Sequence, residues 1–260
     1  MKFFKKSLGQ NFLIDKNIIK KIINFKQITN KHVIEIGPGK GALTDEILKK
    51  NPKTLTVIEK DNKLADFLKI KYSNNNKIKI YNSDILKFDL EKIIENGSVI
   101  FGNLPYNISS QILVKILRLK WPPKFEDLIF MFQKELGEKI VCKFPSKKYG
   151  RLSILSNYRL IIKETFLISP RCFFPKPKIK SLVIHFKPKD KNEIKIKNIV
   201  NLEKITNVLF SNKRKMINKN IKKLISKKSI EKLNGINLRA RPENIQPNIY
   251  YKITQLYERG

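Results

Sequence analysis

Apolar residues recur along this chain in runs of five or six, separated by stretches in which they return every three or four positions. Strands joined by helices produce that alternation. His32–Ile36 (HVIEI) is one such run and ends at three glycines, Gly37, Gly39 and Gly41. Residues 42–50 have helical spacing and lead through Asn51-Pro52 into a second run, Thr54–Glu59 (TLTVIE). Residues 64–70 read as a helix, 77–81 as a third strand, 98–102 (SVIFG) as a fourth, and 109–119 as the helix after it. Further strands are predicted at 127–132, 153–158 and 181–186. The order predicts an α/β fold with a doubly wound, parallel sheet. After Phe186 the charged, proline-marked segment Lys187-Pro188-Lys189-Asp190-Lys191 breaks the pattern, and helical spacing follows. The reading divides the chain into residues 1–188 and a small α-helical domain, residues 189–260.

Charge adds a partner to this picture. The 260 residues carry 55 Lys and Arg against 22 Asp and Glu, a formal charge of +33, which points to a polyanion. Eight of the cations are Arg, so a compositional drift toward Lys competes as the explanation. Drift scatters cations evenly. Residues 176–232 instead hold 17 Lys and one Arg against Asp190, Glu193, Glu203 and Glu231, a net +14 in 57 residues. Within that stretch Met216, Ile217, Ile221, Leu224 and Ile225 have the spacing of a helix packed inward. Lys213, Arg214, Lys215, Lys219 and Lys222 then face outward, toward phosphates.

Several chemistries are disfavoured. Cys142 and Cys172 are lone thiols, and the two histidines, His32 and His185, sit inside apolar strand-like runs, so neither a disulfide framework nor a metal site is expected. No apolar run approaches the ~18 residues of a membrane span, and the short apolar piece after the basic start at Met1 is no signal-peptide core. A cytoplasmic protein without membrane or metal is expected.

The glycine cluster lies between a strand and a helix, where glycines let the backbone approach a ligand at a helix N-terminus. Gly-x-Gly-x-x-Ala also fits a dinucleotide fingerprint. Glu59, at the end of the second strand, is placed to accept hydrogen bonds from ribose hydroxyls, and Asp84, after the third, to meet an adenine amine. Glu35, just before the glycines, disfavours a pyrophosphate and tolerates a cation, which selects S-adenosylmethionine over a dinucleotide.

Asn103-Leu104-Pro105-Tyr106, after the fourth strand, is the most specific local signal. An exocyclic adenine amine is a poor nucleophile because its lone pair is delocalised into the ring. Two acceptors binding both N–H groups aim that lone pair at a methyl group. The Asn103 side-chain oxygen and the Leu104 carbonyl supply two, Pro105 holds Leu104 extended, and Tyr106 offers a stacking face. No general base is required, because the methylated amine loses its proton to water.

Gly9-Gln10-Asn11-Phe12-Leu13, Glu35-Ile36-Gly37-Pro38-Gly39, Val57-Ile58-Glu59, Phe101-Gly102-Asn103-Leu104-Pro105-Tyr106-Asn107-Ile108-Ser109, Tyr149-Gly150-Arg151-Leu152-Ser153 and Phe173-Phe174-Pro175-Lys176-Pro177 together resemble the ribosomal RNA adenine dimethyltransferases. Among these the chain is most similar to the KsgA-type branch of the small ribosomal subunit. The resemblance implies a Rossmann-like methyltransferase sheet and a monomer. It also implies S-adenosylmethionine contacts at Asn11, Leu13, Gly37, Glu59, Asp84 and Asn103, and an adenine clamped between Tyr106 and Phe173. The implied reaction moves four methyl groups to two adjacent adenosines in a hairpin loop near the 3′ end of 16S rRNA, within an immature 30S-type subunit. Two positions depart from the family pattern: Lys40 stands where many relatives carry an apolar residue, and Phe174 is bulkier than expected. Competing readings are a large-subunit dimethyltransferase of the resistance type, a non-catalytic RNA-binding assembly factor and, more distantly, a dinucleotide-dependent oxidoreductase.

Overall fold

The computed structural model describes residues 11–233 and 235–260; Gly9 and Gln10 of the first motif and the basic start at Met1 lie outside them. Two compact units divide the chain. One comprises the chain up to Gly137 with Ile161–Pro188, the other Glu138–Leu160 with Lys189–Gly260.

The first unit runs β1 (Phe12–Leu13), α1 (Lys16–Ile23), β2 (His32–Ile36), α2 (Ala42–Lys49), β3 (Thr54–Glu59), α3 (Asn62–Lys71), β4 (Ile78–Asn82), β5 (Ser98–Asn103), α4 (Ser109–Leu117) and β6 (Phe125–Gln133). After α5 (Lys134–Val141) and α6 (Arg151–Arg159), it resumes with β7 (Leu160–Ile168), β8 (Phe173–Phe174) and β9 (Ser181–Pro188). Seven strands form one sheet in the order β4-β3-β2-β5-β6-β9-β7. The first five in that order are parallel, and β9 runs antiparallel to β6, with Leu128 opposite Phe186. Val33, Ile34 and Ile36 on β2, and Val99, Ile100 and Phe101 on β5, are buried on both faces, which is why these strands read as unbroken apolar runs. Helices start where the sequence supplies a cap: Asp15 accepts from the Asn17 and Ile18 N–H groups ahead of α1, and Asp61 does the same for α3. The strand order reverses between β2 and β5, and a crevice opens there at the carboxyl ends of the strands.

Two expectations change. Residues 153–158 are helix α6, not a strand; Ser153, Ile154, Leu155, Ser156 and Tyr158 are all buried, so burial nearly all round hides the helical period. The strand is the next segment, β7. Residues 138–160 also group with the C-terminal helices and not with the first domain. Tyr251 donates its hydroxyl to the Ile154 carbonyl at 3.2 Å, Tyr158 donates to the Ile194 carbonyl at 3.1 Å, and the Tyr158 and Tyr251 rings lie 4.8 Å apart. Partners so distant in sequence leave no local signal.

The second unit completes itself with α7 (Ile199–Phe210), α8 (Asn218–Ile221), α9 (Lys227–Glu231) and α10 (Pro247–Tyr257). The single helix expected around Met216 is instead a turn followed by the short α8. Ile217 anchors it, fully buried and bonded through its N–H to the Ala240 carbonyl, while Met216 is exposed. Lys213, Arg214, Lys215, Lys219 and Lys222 are exposed as expected, with Lys213 3.0 Å from the Glu243 carboxylate.

Candidate active site

A cavity of about 340 Å³ lies at the carboxyl ends of β2, β3 and β5, within the size range of small-molecule sites. The loop after β2 forms its floor. Gly37 and Gly39 both have positive φ, and a Cβ at Gly39 would stand 2.8 Å from the Phe12 ring, so the loop passes where a side chain would collide.

Glu59, at the end of β3, faces this loop. Its Oε2 accepts the Gly39 N–H at 3.2 Å and its Oε1 the Asp61 N–H at 2.9 Å. Burial pushes the carboxyl above its ordinary pKa, with those two backbone donors opposing. It is thereby fixed in direction while retaining lone pairs for hydroxyl donors. Glu35 is 1% exposed and accepts the Thr44 hydroxyl at 2.6 Å. Burial raises its pKa to about 8, so at neutral pH it is mostly protonated. The expectation drawn from sequence treats Glu35 as a fixed charge, whereas in the ligand-free protein it is a buried and mostly neutral carboxyl. Glu35 and Glu59 share the lining with Lys40 and Lys60, so the cavity offers carboxyl acceptors and cations together.

Asp84 behaves differently from its neighbours. Ser83 and Ile85 line the cavity, whereas Asp84 receives Lys60 Nζ at 2.8 Å and the Leu86 N–H at 2.9 Å. The Lys60 bond, with that backbone donor, holds it below the usual carboxylate range.

The turn after β5 closes the cavity. Asn103 donates Nδ2 to the Asn11 carbonyl oxygen at 3.1 Å, and Leu104 is buried beside Gly102. The Tyr106 hydroxyl pairs with Ser181 Oγ, which steadies the ring, and burial keeps the phenol protonated. Asn11, Leu13, Gly37, Glu59, Asn103, Leu104, Pro105 and Tyr106 all line one space. Phe173 does not join them. It is 2% exposed, packs into the core and offers no open ring face to a base, whereas Phe174 beside it is 64% exposed. Sequence reasoning missed Ser181 and Thr44, because a hydroxyl that positions another residue leaves no motif of its own.

The histidines are strand residues with structural partners. His32 Nδ1 meets Thr54 Oγ1, and the buried His185 Nε2 lies 2.6 Å from Asp127 Oδ1.

The family model for ribosomal RNA adenine dimethylase matches residues 1–259. The ribosomal RNA small subunit methyltransferase A of Pelagibacter ubique is 48% identical over 256 residues, covering 98% of this chain and 97% of its own. Its namesake from Malacoplasma penetrans is 41% identical over 258 residues, covering 97% and 92%. A crystallised dimethyladenosine transferase from Plasmodium falciparum shares the fold at a TM-score of 0.77 and 24% identity, over 95% of this chain and 98% of that one. The 23S rRNA methyltransferase ErmE shares it at 0.68 and 22%, over 95% and 100%. With the family model matching residues 1–259 and near-complete matches to these relatives, the chain, whose Asn103–Tyr106 turn, glycine loop and two buried acids line one cavity, belongs to the ribosomal RNA adenine dimethylase family.

Proposed function

We propose that this protein uses S-adenosylmethionine to dimethylate the N6 amines of two adjacent adenosines in a hairpin loop near the 3′ end of 16S rRNA, in an immature small subunit. The observation that carries the reading is the Asn103 amide, held by the Asn11 carbonyl in the lining of the same cavity as the glycine loop and Glu59.

S-adenosylmethionine supplies an electrophilic methyl on a sulfonium. Glu59 binds the ribose hydroxyls, and Glu35 takes up negative charge near the cationic part. Asn103 Oδ1 and the Leu104 carbonyl accept the two amine hydrogens, and Tyr106 stacks on the base. With both hydrogens held, the amine lone pair would be free to take the methyl group that bound S-adenosylmethionine would supply, the sulfonium would leave as the neutral thioether, and the amine proton would pass to water. The exposed Lys213, Arg214, Lys215, Lys219 and Lys222 bind phosphates.

Small-subunit specificity follows from the two namesakes above, and the large-subunit reading has only a fold-level likeness to support it. Incubation with labelled S-adenosylmethionine and immature small subunits, followed by nucleoside mass spectrometry, tests the proposal. Dimethyladenosine in 16S rRNA is expected. Its absence with folded, cofactor-bound protein overturns the reading.

A further inference from the structure

Strands β1 and β8 form a separate two-stranded antiparallel ribbon, with Phe12 opposite Phe174 and Leu13 opposite Phe173. Directly opposed residues project to the same face of such a pair, and consecutive residues to opposite faces. Leu13 and Phe173 are 3% and 2% exposed and belong to the core. Phe12 and Phe174 therefore share the other face. Ile14 joins them, because its N–H bonds the Cys172 carbonyl at 2.9 Å and extends the ladder by one residue.

That outer face meets the cavity. Phe12 and Ile14 both line it, yet Ile14 is 56% and Phe174 64% exposed, so apolar surface continues from the cavity out past its rim. Lys40 Nζ lies 5.3 Å from the Phe12 ring centroid, and Lys176 and Lys178, which follow Phe174 in sequence, are exposed. An open aromatic face with lysines near it in space or in sequence suits single-stranded RNA, whose bases stack on the ring while phosphates meet the cations. Phe174 stands outside the cavity lining, so a base stacked on it would be distinct from one held in the cavity.

We infer that Phe174, with Ile14 beside it, is a platform for a second nucleobase, the neighbour of the adenine held in the cavity, and that Lys40, Lys176 and Lys178 hold the phosphates between the two. The inference rests on the RNA-methylating function proposed above and adds a subsite to it. Holding the neighbour in a stack fixes the direction in which the backbone enters, which an enzyme treating two consecutive adenosines requires.

The test uses the full chain without cofactor and an RNA hairpin carrying 2-aminopurine next to the target adenosine. Wild-type protein should change the probe's fluorescence on binding. Phe174→Ala should abolish that change and weaken hairpin binding about tenfold, Phe174→Tyr should restore both, and Phe174→Leu should not. In turnover the Phe174→Ala defect should fall mainly on KM for RNA, with affinity for S-adenosylmethionine and thermal stability unchanged. Equal fluorescence and affinity for wild type and Phe174→Ala would overturn the platform, as would a parallel loss of cofactor binding. Because the binding readout needs no methyl transfer, a chain that stacks the probe through Phe174 but methylates no adenosine overturns the proposed function and leaves the platform standing.

Discussion

Asn103 Nδ2 donates to the Asn11 carbonyl oxygen at 3.1 Å, across 92 positions of sequence. The bond uses the donor end of the amide and leaves Oδ1 as the acceptor that the proposed mechanism assigns to the substrate amine. Asn103→Ala should therefore lower kcat by about 10²-fold or more while RNA binding persists. Methyl incorporation into small subunits measures it, and near-normal turnover would count against the polarised-amine mechanism.

Glu35 yields a pH prediction. Its folded pKa, about 8, lies above the ordinary value near 4.5, so the folded state binds the extra proton between those limits. The contribution to the stability of the ligand-free protein is full below the lower limit and is lost as pH rises toward 8. Melting temperature should fall over that range in wild type, and less in Glu35→Gln. Binding of a sulfonium cation favours the ionised form, so calorimetry in buffers of different ionisation enthalpy should show proton release on binding. A binding enthalpy independent of buffer would remove Glu35 from this role.

Gly39→Ala combines a positive φ with a Cβ 2.8 Å from the Phe12 ring. Strain of that kind costs on the order of 1–3 kcal/mol, and the loop relieves it by shifting. Affinity for S-adenosylmethionine should fall at least tenfold in equilibrium dialysis, with the far-ultraviolet circular dichroism spectrum unchanged. Retained affinity would show that the loop does not meet the ligand closely.

Asp127 is fully buried between His185 and Lys26, whose Nζ lies 2.8 Å from Oδ2. Burial works against its charge, but the His185 and Lys26 bonds outweigh it and keep Asp127 below its ordinary pKa. Its stabilisation is thus present at neutral pH and lost as pH falls through the depressed value. Asp127→Ala removes the partner of the buried His185 Nε2, while Lys26 keeps Glu126 at 3.1 Å, and should cost about 1–3 kcal/mol in denaturant unfolding. A cost below 1 kcal/mol would mean that the network contributes little.

Replacing Lys213, Arg214 and Lys215 with Gln should weaken rRNA binding and lower the slope of log K against log salt by roughly two. An unchanged slope would return these residues to a solvated surface role.

The parallel half of the fold was readable because β2, β3 and β5 are buried on both faces and end at turns with chemical signatures. Glu59 and Asn103 could be placed for the same reason, since a strand end followed by a turn fixes where a side chain points. Legibility failed where burial came from distant partners. Residues 153–158 look like a strand because Tyr251 and Ile194 cover them from the far end of the chain. Phe173 and Phe174 are indistinguishable by composition, and only the register of β8 against β1 decides which ring is open. The pKa of Glu35 depends on Thr44 and on burial, neither of which a motif states.

The placement of β9 bears on how the molecule is made. This strand, the last of the sheet in sequence, lies between β6 and β7, and the segment 134–180 is synthesised before it. Until Ser181–Pro188 emerges, β6 presents an unpaired edge along Leu128–Gln133, nearly all of it apolar. Such an edge is a template for aggregation, so a nascent chain stalled between Gln133 and Ser181 would expose a pairing surface that the finished sheet covers.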